Sequence, residues 1–194
     1  MINPSRTFIA KAQIEQEIES QFGIYDINRF LSIVSMLENP EIEIKSNGID
    51  SGTAIITSNN IKILYQLAAE GLIVVPPNKD LKLETCEVNF HLKNEILTKI
   101  LKAASILGLP EIVLSGDRNV IKLSARNTKQ DSSDSFSIEV GRTKAKFDFI
   151  FKFEIFKMMH LDFDVSITSK GYAQFTSSNV TYWAAMENTS RYEA

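Results

Sequence analysis

Active-site chemistry needs histidines, thiols or grouped carboxylates, and this chain offers few of them. Its two histidines, His91 and His160, have no cysteine or second histidine at metal-ligand spacing. His91 falls in an alternating segment as a solvated strand residue, and His160 closes a short helix. The single cysteine, Cys86, has no basic cluster beside it to lower its pKa, so it reads as a structural or exposed thiol. It cannot form an internal disulfide, which suits a reducing cytoplasm. Of the carboxylates that would bind a cation, Asp131 and Asp134 lie in a Ser-rich turn, while Asp162 and Asp164 alternate with Phe163 and Val165. Solvated turn and strand faces account for all four. Neither a glycine-rich phosphate loop nor a nucleophile elbow occurs. Nothing argues for an enzyme, and no metal or cofactor is implied.

The remaining chemistry is cationic and local. With 21 basic and 24 acidic side chains the net charge is −3, so a generally sticky nucleic-acid binder is not indicated. Any phosphate contact must come from one face. Helical spacing is confined to Asp26–Leu37, Asn94–Leu107 and Lys152–His160. The first has a capping residue in Asp26 and is stopped by Asn39-Pro40; the second ends at Gly108, with Pro110 beyond. At about 100° per residue, Ile27, Phe30, Leu31, Val34 and Leu37 form the buried stripe of the first helix, leaving Arg29 outward. Ile96, Leu97, Ile100, Leu101, Ala104 and Leu107 form that of the second, leaving Lys99 and Lys102 outward with Glu95. On the third, Lys157 and Glu154 point away from Phe153, Phe156 and Met159. Arg29, Lys99, Lys102 and Lys157 thus make mildly basic helix faces in an acidic chain. On this arithmetic two readings stand: ordinary solubilising charge, or a surface that meets phosphates.

Those helices must be held by strands. Period-two alternation marks Glu87–Lys93, Phe147–Phe153 and Phe163–Thr168, and further strands are predicted at Thr7–Ile14, Glu41–Lys45, Thr53–Thr57, Ile61–Leu67, Glu111–Ser115, Val120–Ala125, Ser135–Val140, Gly171–Phe175 and Val180–Met186. The class is α+β rather than alternating βαβ. The 194 residues allow one large domain or two small ones, the 44% apolar content supports a core, and no apolar run reaches the roughly 20 residues of a membrane helix. The N-terminal residues lack the apolar centre of a secretion signal.

A repeat organises the elements. Asn39-Pro40-Glu41-Ile42 follows the first helix and Leu109-Pro110-Glu111-Ile112 follows the second; each helix is preceded by a strand, at Phe22–Tyr25 and Val88–Lys93. The third helix lies between strands in the same way without the Pro-Glu-Ile sequence. Between the copies, Gly71 to Asp80 lacks periodicity and carries Pro76-Pro77, which favour extended backbone. The expected division is a first domain at 1–70, a connector at 71–85 and a second domain at 86–194. The first holds fewer repeat units and is expected to lack an N-terminal portion. Leu72, Val74, Val75 and Pro76 in the connector, with Tyr182 and Trp183 near the C-terminus, leave two readings open: apolar cover over the junction of two domains, or a groove that accepts a partner's peptide.

These residues resemble a family. Phe22-Gly23-Ile24-Tyr25-Asp26-Ile27-Asn28-Arg29-Phe30-Leu31 is similar to the aliphatic-Tyr-Asp-Leu-Asn-x-Phe-Leu segment of the sliding clamps of T-even-like bacteriophages. Val74 to Lys79 resembles their connector, and Phe147 to Phe151, Lys157-Met158 and Tyr182 to Glu187 resemble their last strand-helix-strand unit. The resemblance implies a DNA-clamp fold: two similar domains of antiparallel sheet, with short helices on one face. It further implies a homotrimeric ring around duplex DNA in the host cytoplasm. Such a ring tethers the phage DNA polymerase for processivity, is loaded by a clamp loader and assists late transcription. Arg29, Lys99, Lys102 and Lys157 fall at the channel-facing positions of that pattern. The family begins with a helix and strands ahead of the equivalent of Ser5, which agrees with the expected incomplete first domain. The rival from another class is a structural phage protein, a tail or capsid component built from duplicated β-rich units.

Overall fold

The computed structural model describes residues 1–15, 17, 22–46, 52–69, 71–76, 83, 85–130 and 132–193. The chain divides into a larger unit, Met1–Gln13 with Pro76–Ala194, and a smaller unit, Ile14–Val75. Among the described residues no helix is long and apolar enough to cross a membrane.

In the smaller unit, α1 (Ile27–Ser35) leads into an antiparallel meander of β2 (Glu41–Ser46), β3 (Gly52–Ser58) and β4 (Ile61–Gln66). The Asp26 side chain caps α1 by accepting from the Arg29 N–H at 3.0 Å. Asn39 adopts a left-handed backbone (φ 46°) just before Pro40, so the helix cannot continue. Phe30 packs edge-on against Tyr65, ring centroids 5.2 Å apart, over Ala54 and Ile56. The Tyr65 hydroxyl donates to the Asp26 carbonyl at 3.1 Å and ties the sheet to the helix start. Two expectations change here. Phe22–Tyr25 contributes a single bridge, Gly23 to Ala68, rather than a strand. A side chain at Gly23 would collide with Ile73, whose Cδ1 lies 2.5 Å from the place a Cβ would take, so this stretch is held by close approach and not by a ladder. Leu31, expected in the buried stripe, is 54% exposed: three strands of sheet cover only the Phe30 side of the helix.

In the larger unit two five-stranded antiparallel sheets enclose the main core. One runs β1 (Phe8–Ala12), β12 (Val180–Ala185), β11 (Tyr172–Thr176), β10 (Phe163–Thr168), β5 (Val88–Leu92). The other runs β13 (Arg191–Glu193), β9 (Lys146–Lys152), β6 (Glu111–Asp117), β7 (Val120–Arg126), β8 (Phe136–Arg142). Here the repeat has a structural meaning. From β5 the chain passes through α2 (Asn94–Leu107) into β6 of the opposite sheet, and from β9 it passes through α3 (Phe153–Phe156) back into β10. The two strand-helix-strand units therefore cross between the sheets in opposite senses. Alternate residues of the facing strands, with Leu97, Ile100 and Ala104 of α2, fill the space between, and Phe149, Phe151, Phe156, Phe163 and Phe175 are nearly inaccessible. Burying one such side chain contributes about 1.5–3 kcal/mol, so this aromatic layer is a substantial part of the unit's stability.

The predicted strands appear with ends shifted by a residue or two, and β13 is additional. The first domain expected at 1–70 is divided differently: β1 pairs antiparallel with β12, Phe8 opposite Ala184 and Ala12 opposite Val180, so residues 1–13 join the larger unit. Alternation fixes which residues of a strand face inward but not which edge it pairs with. The helix expected over Lys152–His160 is one turn, Phe153–Phe156, with Ile155, Phe156 and Met159 all buried. Leu107, placed in the buried stripe of α2, is 40% exposed at the last turn, where Gly108 takes a left-handed φ of 65°.

Candidate nucleic-acid and partner-binding surfaces

Lys99 and Lys102 stand on the solvent side of α2, and neither has an ion-pair partner among the described residues. Their platform is rigid for identifiable reasons. Leu97, Ile100 and Ala104 are buried on the opposite side, where α2 packs on β7 and β8. The helix has no cap of its own, because Lys93 at that position provides no acceptor. Asp162 supplies it from the turn before β10, accepting the Asn94 N–H at 2.6 Å. Glu95 in the first turn favours the same end of the helix dipole.

Lys157 follows the last residue of α3 and is already engaged. Its Nζ lies 2.8 Å from Glu154 Oε1 and 4.8 Å from the centroid of the Phe153 ring. The pair is solvent-exposed, so it is weak, yet it shares the charge that a free lysine would offer a phosphate. Arg29 lies in the smaller unit, exposed in the first turn of α1. The structure thus places two unpaired lysines one turn apart on α2 and a partly neutralised one on the neighbouring α3; Arg29 is described in its own unit.

The docking candidates separate by exposure. Leu72, Val74 and Val75 are 67%, 43% and 56% exposed, and Pro76 is half-buried. Pro77, Asn78 and Lys79 lie outside the described residues, as does Asp131. Tyr182 and Trp183 are neighbours on β12 and so face opposite sides of the sheet. Tyr182 points into the core: its ring stacks on Phe8 at 5.3 Å and meets Phe163 edge-on at 5.7 Å, and its hydroxyl donates to the Met158 carbonyl at 3.3 Å. Burial pushes its phenol pKa up. Trp183 is half-buried on the other side, opposite Ile9 and Gln174 in the ladder.

His91, His160 and Cys86 are all exposed, and His91 Nδ1 sits 2.9 Å from Asp164 Oδ1. Among the described residues no three of His, Cys, Asp or Glu are placed to hold a metal ion. Asp162 escaped the sequence reading as a functional residue because its partner is 68 positions away. Its one sequence signal is the absence of a capping side chain at Lys93.

A family model described as gp45 sliding clamp, C terminal, matches residues 89–188. The chain is 30% identical over 185 residues to the sliding clamp of Vibrio phage KVP40, covering 92% of this chain and 82% of that protein. It is 27% identical over 201 residues to the sliding clamp of Escherichia phage RB69, covering 96% and 84%. In fold it is similar to the solved PCNA2-PCNA3 complex from Sulfolobus tokodaii, with a TM-score of 0.66 at 12% identity over 96% of this chain and 84% of that one.

Proposed function

The chain belongs to the gp45 sliding-clamp family of T4-like phages, and from that premise we propose that it closes a homotrimeric ring around duplex DNA and tethers the phage DNA polymerase. The observation that carries the reading is the pair of lysines, unpaired among the described residues, on the outer face of α2, a helix whose other face is buried against β7 and β8. Lysine ammoniums on a rigid stave meet phosphates through counterion release and read no base edges, which is what a moving contact requires. Lys157 adds to this cationic face with reduced strength because Glu154 shares its charge, and Arg29 is the corresponding exposed cation on the helix of the smaller unit.

Encirclement explains how a chain of net charge −3 retains a polyanion. A closed ring holds the duplex by topology, so each phosphate contact stays weak and interchangeable. Edge strands provide the means of closure. β8 in the larger unit and β4 in the smaller each have one side without a partner strand among the described residues. Unpaired edges seek partners, and a neighbouring subunit's edge satisfies them.

Partner peptides, in this reading, engage the exposed apolar side chains Leu72, Val74 and Val75 with Pro76, and on the larger unit the β12 face bearing Trp183, with Tyr182 holding that strand from beneath. The polymerase is the principal partner. The clamp loader and late-transcription proteins use the same ring in the host cytoplasm, and the role is non-enzymatic.

Light scattering on the purified protein, followed by primer extension on circular and linear templates, tests this. A discrete trimer that stimulates extension on circles, and is lost by sliding from linear ends, is the expected result. A stable monomer, or large polymers of the kind a tail or capsid component forms, would overturn it.

A further inference from the structure

An open polar cleft of about 690 Å³ lies in the larger unit, where the turn between β7 and β8 meets β9 and the segment leading into β13. Arg126, Lys129, Ser133, Asp148, Thr189 and Arg191 line it. Neither the α2 lysines nor the connector contributes to it. We propose that this cleft is a second docking site, one that takes a carboxylate-rich segment of a partner protein.

Charge comes first. Among the described lining residues Arg126, Lys129 and Arg191 face one carboxylate, Asp148, within a chain that is acidic overall. Asp134, on the same turn, is exposed and outside the lining. Asp148 orients the cations more than it cancels them. The Arg126 Nη2 donates to its Oδ1 at 2.8 Å, and Arg191 stands directly opposite it in the β13–β9 ladder. One guanidinium nitrogen of Arg126 is thereby used, while its Nε is buried with no hydrogen-bond partner among the described residues. A buried unpaired guanidinium nitrogen is uncommon, and it leaves the remaining guanidinium charge of Arg126 only partly compensated by Asp148.

The rim is built to stay in place. Glu111, itself buried, accepts the Thr128 N–H at 2.7 Å and pins the start of the turn. Asn127 accepts the Lys129 N–H on its side chain at 3.1 Å and the Gln130 N–H on its carbonyl at 3.3 Å. Glu111 is the acidic residue of the second Pro-Glu-Ile sequence, and its counterpart Glu41 is exposed. The shared tripeptide therefore has a local task only in the copy that carries the cleft.

Lining chemistry selects the ligand. Among the described lining residues there is no aromatic ring on which a nucleic-acid base would stack, so single-stranded DNA or RNA is a poor fit. Among those residues Ile150 is the one large apolar side chain, which disfavours hydrophobic small molecules and peptides anchored by an aromatic residue. Two planar guanidinium groups beside an ammonium and several hydroxyls match carboxylates, which arginine binds bidentately.

The test uses the intact protein, without DNA, and a fluorescein-labelled oligoglutamate peptide followed by anisotropy at low salt. The Lys129→Gln/Arg191→Gln double variant, whose side chains are exposed, should keep the parent melting temperature and lose roughly tenfold or more in peptide affinity. Lys99→Ser/Lys102→Ser should bind the peptide as the parent does. The proposal fails if the cleft variant binds unchanged, if the α2 variant loses as much, or if inorganic pyrophosphate or a single-stranded oligonucleotide displaces the peptide at lower concentration than unlabelled oligoglutamate. Because neither DNA nor polymerase enters the measurement and peptide binding is read whatever the assembly size, a negative result here leaves the clamp reading untouched, and failure of that reading leaves this test intact.

Discussion

The Asp162 carboxylate accepts the Asn94 backbone N–H at 2.6 Å, joining the turn before β10 to the first residue of α2 across 68 positions. It replaces a missing cap, since Lys93 provides none. The same carboxylate faces the positive end of the helix dipole. Asp162→Ala should therefore cost about 1 kcal/mol, the usual loss for a deleted cap, and lower the melting temperature by about 2–4 °C in a protein of this size. Asp162→Asn keeps an acceptor and should recover more than half of that. Differential scanning calorimetry decides: equal melting temperatures for the parent and the alanine variant would show that the bond contributes nothing.

Much of this architecture was legible in the sequence for a simple reason. Alternation in segments such as Glu87–Lys93 and Phe163–Thr168 reports a two-sided environment, and two packed sheets provide one. The outward placement of Lys99 and Lys102 followed from 100° arithmetic on a helix long enough to average out local exceptions. What failed to show was anything depending on a distant neighbour. Nothing in Phe8–Ala12 says that it pairs with Val180–Ala185, and the motif containing Tyr182 does not say that its ring lies under Phe8. The one-turn length of α3 is likewise not visible locally, since its buried Ile155, Phe156 and Met159 would suit one face of a longer helix equally well. The basic cleft gathers residues from strands and turns that are far apart in sequence, so no window of sequence displays it.

Tyr182 gives a graded test of how β1 is held. Tyr182→Phe removes only the hydroxyl bond to the Met158 carbonyl and should cost about 1 kcal/mol. Tyr182→Ala also removes the stack on Phe8 and the contact with Phe163 and should cost about 3–5 kcal/mol. Urea unfolding measures both, and amide exchange of Ile9 and Lys11 should quicken only in the alanine variant. Similar losses for the two would mean that the ring packing is unimportant.

The β6–β7 hairpin carries a pH-dependent element at Asp117. The Val120 N–H at 2.9 Å is the main cause, with the Asn119 N–H at 3.1 Å and the nearby Lys122 ammonium adding to it, and together they hold the carboxyl below its ordinary value of 3.8. A depressed folded-state pKa adds stability above the unfolded value and loses it as the pH falls through the folded one. The stability difference between the parent and Asp117→Asn should therefore be flat near neutral pH and shrink below about pH 4. A gap that held constant or grew on acidification would contradict the assignment.

Leu72 and Val74 expose their side chains to solvent, so a charge placed there meets water and not a core. Leu72→Asp and Val74→Asp should leave the melting temperature and the assembly size unchanged while abolishing polymerase stimulation. Primer extension beside light scattering reads both properties on one sample. Full stimulation by an intact assembly of either variant would remove the connector from the docking surface.

The lysines proposed to face DNA should differ in measurable rank. Each phosphate neutralised contributes about 0.9 to the slope of log affinity against log salt on duplex DNA. Lys99 and Lys102 have no ion-pair partner among the described residues, so Lys99→Ser/Lys102→Ser should lower that slope by about 1.8 for each subunit whose two lysines meet phosphates, and speed loss of the loaded ring at moderate salt. Lys157 already lies 2.8 Å from Glu154, and Lys157→Ser should change the slope by less than either α2 lysine. Glu154→Gln frees Lys157 and should raise the slope and slow release, an outcome that no loss-of-charge artefact mimics. If Glu154→Gln leaves retention unchanged while Lys99→Ser/Lys102→Ser shortens it, the α3 side takes no part in phosphate contact and the channel's cationic surface is α2 alone among these two helices.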